Sequence, residues 1–446
     1  MRDRWLWAGC VAYAALFTWL GAIKYAAHRN LVDFGIFAQT ASSAFGCFCN
    51  PLEGSHWAFH FSPILYPVGI ALALVHAPIV LIGLQAVAGA LCAPPIYAIV
   101  RARGDRWTAL LAALVVLLYP PLAGLTFGDF HENGFAPAAV AWAAYCFDAG
   151  RLGWAAVAVA AALDVKEDQA LFLAFAGVAG ATAYRGDRRR RNFAAGAAIV
   201  SVAVALTFFL VIQPHANADP AWQPTRFYAW TSADWQQLGP GLLARAGFLL
   251  LVLAPLALLP LRSPVMLLAV PPLLEVLASR MSTTYTLGTH YAGAWIGYVL
   301  VAFAAATAGL AARDRARAPL YWAAALCAVE LLVANPLHPG INLRSVQTRD
   351  VQLDLALRAI PPDASVATQE EAYTHLALDD PFARLLPEDP RVETEACFVL
   401  IDRAFPDSPR LQEYGGALRG LVSAGRYALA ERAGEIELYR RLTPCR

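Results

Sequence analysis

Charge is scarce in this chain. Only 15% of its 446 residues are Asp, Glu, Lys or Arg, against roughly 25% in an ordinary soluble protein, which argues against a single soluble globule. Lysine is nearly absent, with Lys24 and Lys166 standing beside many arginines. A net charge of +1 leaves no basic footprint, so no nucleic-acid partner is expected. None of the eight cysteines follows zinc-ligand spacing; Cys10, Cys92, Cys146 and Cys327 lie in apolar runs and read as packing residues. No glycine-rich phosphate loop opens a helix in the C-terminal part, so a nucleotide site there is not supported. Solenoid repeats and long disordered tracts are lacking too.

What fills the chain is hydrophobic residues, 59% of the total, and they are unevenly spread. Residues 335–446 hold 30 of the 67 charged side chains, about 27% by position against about 11% before them. The division predicts a multi-span membrane domain over 1–334 and a soluble domain over 335–446. Apolar stretches near 5–23, 63–100, 106–120, 134–148, 153–164, 168–184, 193–213, 244–261, 264–279, 291–312 and 318–334 predict about 11 net crossings by α-helices. The second stretch is interrupted at His76-Ala77-Pro78, where proline breaks a continuous helix, and counts as one crossing with a bent first part. Trp5 to Ile23 follows Arg2 and Arg4 like a secretory signal, but its length and the lack of a small-residue cleavage site make it a retained first span.

Loop charge orients the trace. With the N-terminus inside, the cytoplasmic loops carry Arg2, Arg4, Arg101, Arg103, Arg106, Arg151, Arg185, Arg188 to Arg191, Arg262, Arg313, Arg315 and Arg317, fifteen in all. The outer loops before residue 335 carry six cations: Lys24, Arg29, Lys166, Arg226, Arg245 and Arg280. The C-terminal domain is then extracytoplasmic, in the cell (inner) membrane of a multi-pass protein. Ala364 to Thr368 and Cys397 to Asp402 predict short buried strands of a small α/β domain, with turns at Pro361-Pro362-Asp363 and Pro387-Glu388-Asp389-Pro390. An outer compartment permits disulfides, and Cys397 is expected to bridge Cys445, whereas Cys47 and Cys49 are too close in sequence to pair comfortably.

The same orientation places five polar clusters at one membrane face: Asp33; His60; Asp129, His131 and Glu132; Lys166, Glu167 and Asp168; and His290 with Tyr291. Asp33 suits the N-cap of a surface helix starting near Ile36, and equally a general base that takes a proton from an acceptor hydroxyl. Gln39 fits a solvated helix face or a bond to a sugar hydroxyl. His60, His131 and Glu132 are ordinary hydrogen-bonding groups, or, taken together, imidazole and carboxylate ligands for a divalent ion; the cofactor is otherwise unassigned. Lys166 pairs with its neighbouring acids or meets a phosphate as a compact point charge.

These clusters carry a resemblance. Asp33-Phe34-Gly35-Ile36-Phe37-Ala38-Gln39, His60-Phe61-Ser62-Pro63, Phe130-His131-Glu132, Val165-Lys166-Glu167-Asp168, His290-Tyr291 and Ile360-Pro361-Pro362-Asp363-Ala364-Ser365-Val366, in that order, resemble the family of predicted membrane proteins known as domain of unknown function 2079. That family is similar in plan to the GT-C membrane glycosyltransferases, which take sugars from polyprenyl-phosphate carriers with an acidic residue in the first outer loop. The similarity implies an inverting transfer in which Asp33 deprotonates the acceptor, with a lipid-linked sugar donor and membrane lipids as partners. Val32 and Phe34 flank Asp33 where paired acids are usual, and Leu is more usual than Phe34. Intramembrane acids and broken helices also suit a transporter or flippase. An assembly or sensor protein is a third reading, in which the clusters do not converge.

The arginine asymmetry yields a direct expectation. A reporter active only in the cytoplasm, fused after Arg446, gives no signal; a strong signal overturns the orientation.

Overall fold

A computed structural model of the chain describes residues 3–216, 225–228, 238–361, 364–387, 394–404 and 409–445. Arg2, counted among the cytoplasmic charges, and Pro362, Asp363, Glu388, Asp389 and Pro390, expected in turns, lie outside the described residues. The chain divides into two compact units: Met1–Thr18, Trp57–Leu65 and Ile82–His338 form the first, and Trp19–His56, Tyr66–Leu81 and Pro339–Arg446 form the second. The division in space therefore differs from the division in sequence, because the unit holding the C-terminal domain also takes in two segments from the first 81 residues.

The apolar stretches become helices. Arg4–Ala26, Pro78–Arg101 and Arg188–Ala216 are long and apolar enough to cross a membrane, and the pair Arg106–Leu118 and Pro120–Phe127, bent by 49°, makes a fourth if taken as one span. Pro120 and Pro121 lack amide hydrogens and force that bend. Leu65–Leu74, Leu152–Leu163 and Ile296–Ala311 are shorter apolar helices, so the full expected crossing number rests on segments under the usual spanning length. Pro78 opens a new helix after Leu65–Leu74 ends, which is the interruption anticipated at His76-Ala77-Pro78. Trp5, Val11, Leu16 and Trp19 project outward from Arg4–Ala26, and Ile199 and Leu210 from Arg188–Ala216. An outward apolar surface costs little when the solvent is hydrocarbon.

In the second unit, a five-stranded sheet has the order β4-β3-β5-β7-β6, where β3 is Val366–Thr368, β4 Arg384–Leu385, β5 Phe398–Asp402, β6 Tyr427–Ala433 and β7 Ile436–Arg441. The two anticipated strands, β3 and β5, are parallel neighbours, with Val366 opposite Phe398. The hairpin of β6 and β7 turns at Gly434, whose φ of 62° is favourable for glycine. Val399, Ile401, Tyr414, Leu418 and Tyr427 pack as the core under this sheet. The helix Val32–Ser42 belongs to the same unit and buries every residue from Phe34 to Ala41. It packs on the helix Glu370–Leu376, with the Tyr373 ring lying over Gly35, where a Cβ would collide with it.

Two expectations are corrected here. Leu31, in extended conformation, is the N-cap of Val32–Ser42, and Asp33 sits inside the first turn, where a carboxylate still meets the positive end of the helix dipole. Cys47 and Cys49 do form a disulfide, at the entrance to a short hairpin of β1, Cys49–Asn50, and β2, Gly54–Ser55. The left-handed backbone of Phe48, φ 48°, folds the three-residue loop back on itself. Its buried ring, stacked 5.0 Å from Tyr66, anchors that conformation.

Cys397 and Cys445 are bridged as anticipated, 48 residues apart, while Cys10, Cys92, Cys146 and Cys327 are buried free thiols. Peptide mapping without reductant shows both bridges. Replacing Cys397 by Ala costs about 2–4 kcal/mol, from the loop entropy returned to the unfolded chain; an unchanged unfolding midpoint refutes the bridge's structural role.

Candidate functional site

The site in the first unit is built around a carboxylate. Glu132 opens a single turn of 3-10 helix, Glu132–Phe135, after the helix Pro120–Phe127 has ended at Gly128. It is fully buried, and neither oxygen receives a hydrogen bond among the described residues. The groups that approach it are the His131 Nδ1, 2.8 Å from Oε2, and the Lys166 Nζ, 3.6 Å from Oε1. Burial drives the His131 imidazolium down to about 3, so that ring is neutral at physiological pH. Lys166 is thus the counter-charge. Burial opposes its ammonium, yet Glu132 and Glu167 override burial and hold it above the ordinary lysine value.

Lys166 stands at the N-cap of the helix Glu167–Ala183, in extended conformation. Glu167, the first helical residue, closes on the chain before the second apolar stretch: Oε1 lies 2.9 Å from His60 Nδ1 and Oε2 accepts the Phe61 amide at 3.0 Å. The Ile64 amide donates to the Asp164 carbonyl at 2.8 Å, so both strands of this junction are held. Burial and Lys166 press the His60 imidazolium down, and the Glu167 and Glu132 carboxylates override them, raising its pKa above the ordinary histidine value. Asp168 acts electrostatically on the same group of charges.

His290 opens the turn His290–Ala294. Its ring stacks on His131, centroids 3.8 Å apart and 11° from parallel, and Tyr291 lies 4.1 Å beyond. The approach requires a glycine: a Cβ on Gly293 would lie 2.8 Å from the Asn133 carbonyl carbon. Six anticipated residues, His60, His131, Glu132, Lys166, Glu167 and His290, are thereby linked through direct contacts, with Tyr291 and Asp168 beside them. Asp129 is half-buried next to them in sequence.

Asp33 and Gln39 belong to the second unit. Asp33 is half-buried there. Gln39 is buried, so its expected solvated face does not exist: its amide nitrogen donates to the Asp380 and Ala383 carbonyls, both at 3.0 Å, and its Oε1 accepts from the Tyr373 hydroxyl at 2.5 Å. That leaves the amide no hydrogen for a sugar hydroxyl.

Three residues enter the site without having been singled out from sequence. Gln85, inside the apolar run of Pro78–Arg101, directs its amide nitrogen at the carbonyls of Leu125, Thr126, Gly128 and Asp129, at 3.1–3.3 Å, and accepts the His131 amide at 3.0 Å. It is the residue that shapes the turn presenting His131 and Glu132. A lone glutamine in a span was the available signal. Glu275 interacts electrostatically with Asp168, Lys166 and Glu167, and Tyr228 with Glu275, Asp168 and Tyr291. For a divalent ion, Glu132 and neutral His131 are the fitting ligands, since the carboxylate oxygens are buried without donors.

The helical unit with its polar cluster, and the unit with the small α/β sheet, have counterparts of similar fold among solved structures. Two solved structures of ArnT from Cupriavidus metallidurans are similar to this chain. The one bound to undecaprenyl phosphate has a TM-score of 0.57 and 12% identity, covering 96% of this chain and 98% of that one. The one in the apo state has a TM-score of 0.54 and 11% identity, with the same coverage. At such identity the likeness is one of fold. No curated protein sequence matches the chain. The family model described as predicted membrane protein DUF2079 matches residues 29–437, and the chain belongs to that family.

The His60–Glu167 pair has a pH signature. A histidine whose folded pKa is raised contributes stability that is full below its unfolded value, 6.5, and is lost as pH rises through the folded value. The unfolding midpoint of the wild type therefore falls as pH is raised above 6.5, and His60→Gln flattens that fall. Equal slopes in the two proteins exclude His60 as its source.

Proposed function

We propose that this protein is a membrane glycosyltransferase that moves a sugar from a polyprenyl-phosphate-linked donor to an extracytoplasmic acceptor. The observation that carries the reading is the gathering of His60, His131, Glu132, Lys166, Glu167 and His290 from four separate segments. Ionisable groups are costly near a membrane unless they serve one another and a ligand. The ArnT fold, found with undecaprenyl phosphate bound in one of its structures, supports a lipid-phosphate ligand.

In this reading Lys166 meets the phosphate as a point charge. The bond from the sugar's anomeric carbon to the phosphate oxygen breaks, and its electron pair leaves with the lipid phosphate. The acceptor oxygen bonds the anomeric carbon from the opposite face, and its proton passes to Asp33, the acid of the first outer loop. A divalent ion at Glu132 and His131 would add Lewis-acid charge to the leaving phosphate. The eleven crossings and the outward-facing C-terminal domain belong to the same proposal, since they put the donor's headgroup in water and its tail in lipid.

The test is release of polyprenyl phosphate from a panel of lipid-linked sugars by purified protein in lipid. Asp33→Asn keeps size but removes the proton acceptor, so turnover falls by about 10²–10⁴. Lys166→Ala chiefly weakens donor binding, raising KM with a smaller loss of kcat. Undiminished release by Asp33→Asn removes Asp33 from the mechanism. Intact donor appearing in the opposite leaflet, with no release by the wild type, replaces the transferase by a flippase.

A further inference from the structure

The second unit holds a cluster of ligating side chains that the reaction above does not use. His28 follows the helix Arg4–Ala26, Asp354 lies on the helix Thr348–Arg358 and His375 on the helix Glu370–Leu376. One ligand atom from each lies within 4.8 Å of the other two. We propose that His28, Asp354 and His375 bind a divalent transition-metal ion of the zinc class and so fasten the start of the first loop to the C-terminal domain within this unit.

The proton placement favours a cation. His375 Nε2 is 3.0 Å from the Tyr25 carbonyl oxygen. A carbonyl only accepts, so Nε2 carries the hydrogen and Nδ1 carries the lone pair. That Nδ1 faces Asp354 Oδ1 at 3.8 Å. A lone pair and a carboxylate oxygen repel at that distance unless something positive lies between them. His28 Nε2 is 3.1 Å from the same Oδ1. The His28 ring is fully buried and its Nδ1 has no partner among the described residues, so all its polar interaction passes through Nε2.

The surroundings fit as well. A ligating histidine usually donates its other ring N–H to a carbonyl or carboxylate, which is what Tyr25 provides for His375. Tyr25, His375 and His28 stack in a column, with centroid separations of 4.1 and 3.7 Å, which sets the two imidazoles face to face. Ligand atoms on a tetrahedral zinc with ~2.0–2.1 Å bonds stand about 3.3 Å apart; since all three lie within 4.8 Å of one another, binding closes the widest pair by at most about 1.5 Å and tilts the rings out of their stack. Two imidazoles and one carboxylate suit zinc, whereas calcium and magnesium want oxygen throughout. The Asp354 side chain is 42% exposed, which leaves an entry path and a fourth position for water.

The ion would join residues 326 positions apart. Because the site needs neither donor nor acceptor, its failure and that of the glycosyltransferase reading are separate results. The probe is zinc alone, added to full-length, tag-free protein in detergent after chelator treatment, with bound zinc counted by elemental analysis and affinity measured against a competing chelator. The wild type binds one equivalent more than Asp354→Asn or His375→Ala, or binds it at least about tenfold more tightly, and its unfolding midpoint rises with zinc while theirs rises less. Asp354→Asn preserves shape on a partly exposed side chain, so it reports even if His375→Ala does not fold. Zinc bound elsewhere is common to all three proteins and cancels. Equal stoichiometry and affinity in the wild type and Asp354→Asn, or no zinc bound by the wild type at micromolar free metal, overturns the proposal.

Discussion

The buried charge of Glu132 is the constraint on which the first unit's site depends. A carboxylate with no hydrogen-bond donor is several kcal/mol less stable inside a protein than in water, and its two buried oxygens are in that position. Lys166, 3.6 Å away, is what offsets the cost. For the ammonium to stand there, the helix Glu167–Ala183 has to begin where it does, and its first residue then reaches His60 and the Phe61 amide. One electrostatic requirement thus fixes the start of one helix, the entry to another and the positions of Glu167 and His60.

The same requirement bears on what can bind. Lys166 is balanced by acids already: Glu132, Glu167 and Asp168 all act on it. In the proposed reaction an incoming phosphate would therefore not meet a waiting excess of positive charge. It would have to share Lys166 with Glu132, or arrive with a cation that the donor-free Glu132 oxygens and neutral His131 could hold. His60, protonated more readily than an ordinary histidine, adds positive charge on the Glu167 side. For the proposed transfer, charge sharing of this kind would make binding weak in the ground state and sensitive to any change in charge at the reacting bond, which is where electrostatic catalysis acts.

Much of this was legible in the amino-acid order, for physical reasons that differ by feature. Helices were found because a span must satisfy its own backbone groups, and uninterrupted apolar runs reveal it. The site clusters stood out because ionisable residues are so sparse before residue 335. Strands Val366–Thr368 and Phe398–Asp402 showed as short buried runs, while the hairpin Tyr427–Arg441 did not, since charged residues such as Glu431, Arg432 and Glu437 interrupt its alternation. Gln39 and Cys47–Cys49 were misjudged because local sequence carries no record of Tyr373, Asp380 or Tyr66 closing over them. Gln85 was missed for the converse reason. Its role is to gather carbonyls at a turn some 40 residues away, and only the tertiary path of the chain makes it a neighbour.

Fold likeness at 12% identity transmits little chemistry on its own. Membrane folds are held by helix length, apolar surface and small residues, all of which many sequences supply, so one architecture can carry unrelated sites. What distinguishes this chain is the set of exceptions to that permissive rule. Gln85 sits inside a span, Glu132 is buried without donors, Lys166 is one of two lysines, and Gly293 allows two turns to touch. None of these is demanded by spanning a bilayer. The glutamine shapes the turn that carries the carboxylate, the glycine lets the turn bearing His290 close on it, and the lysine neutralises it. They support one another and serve no common structural purpose other than holding a charged cluster together, and that mutual dependence is the strongest physical reason to regard it as a site for chemistry.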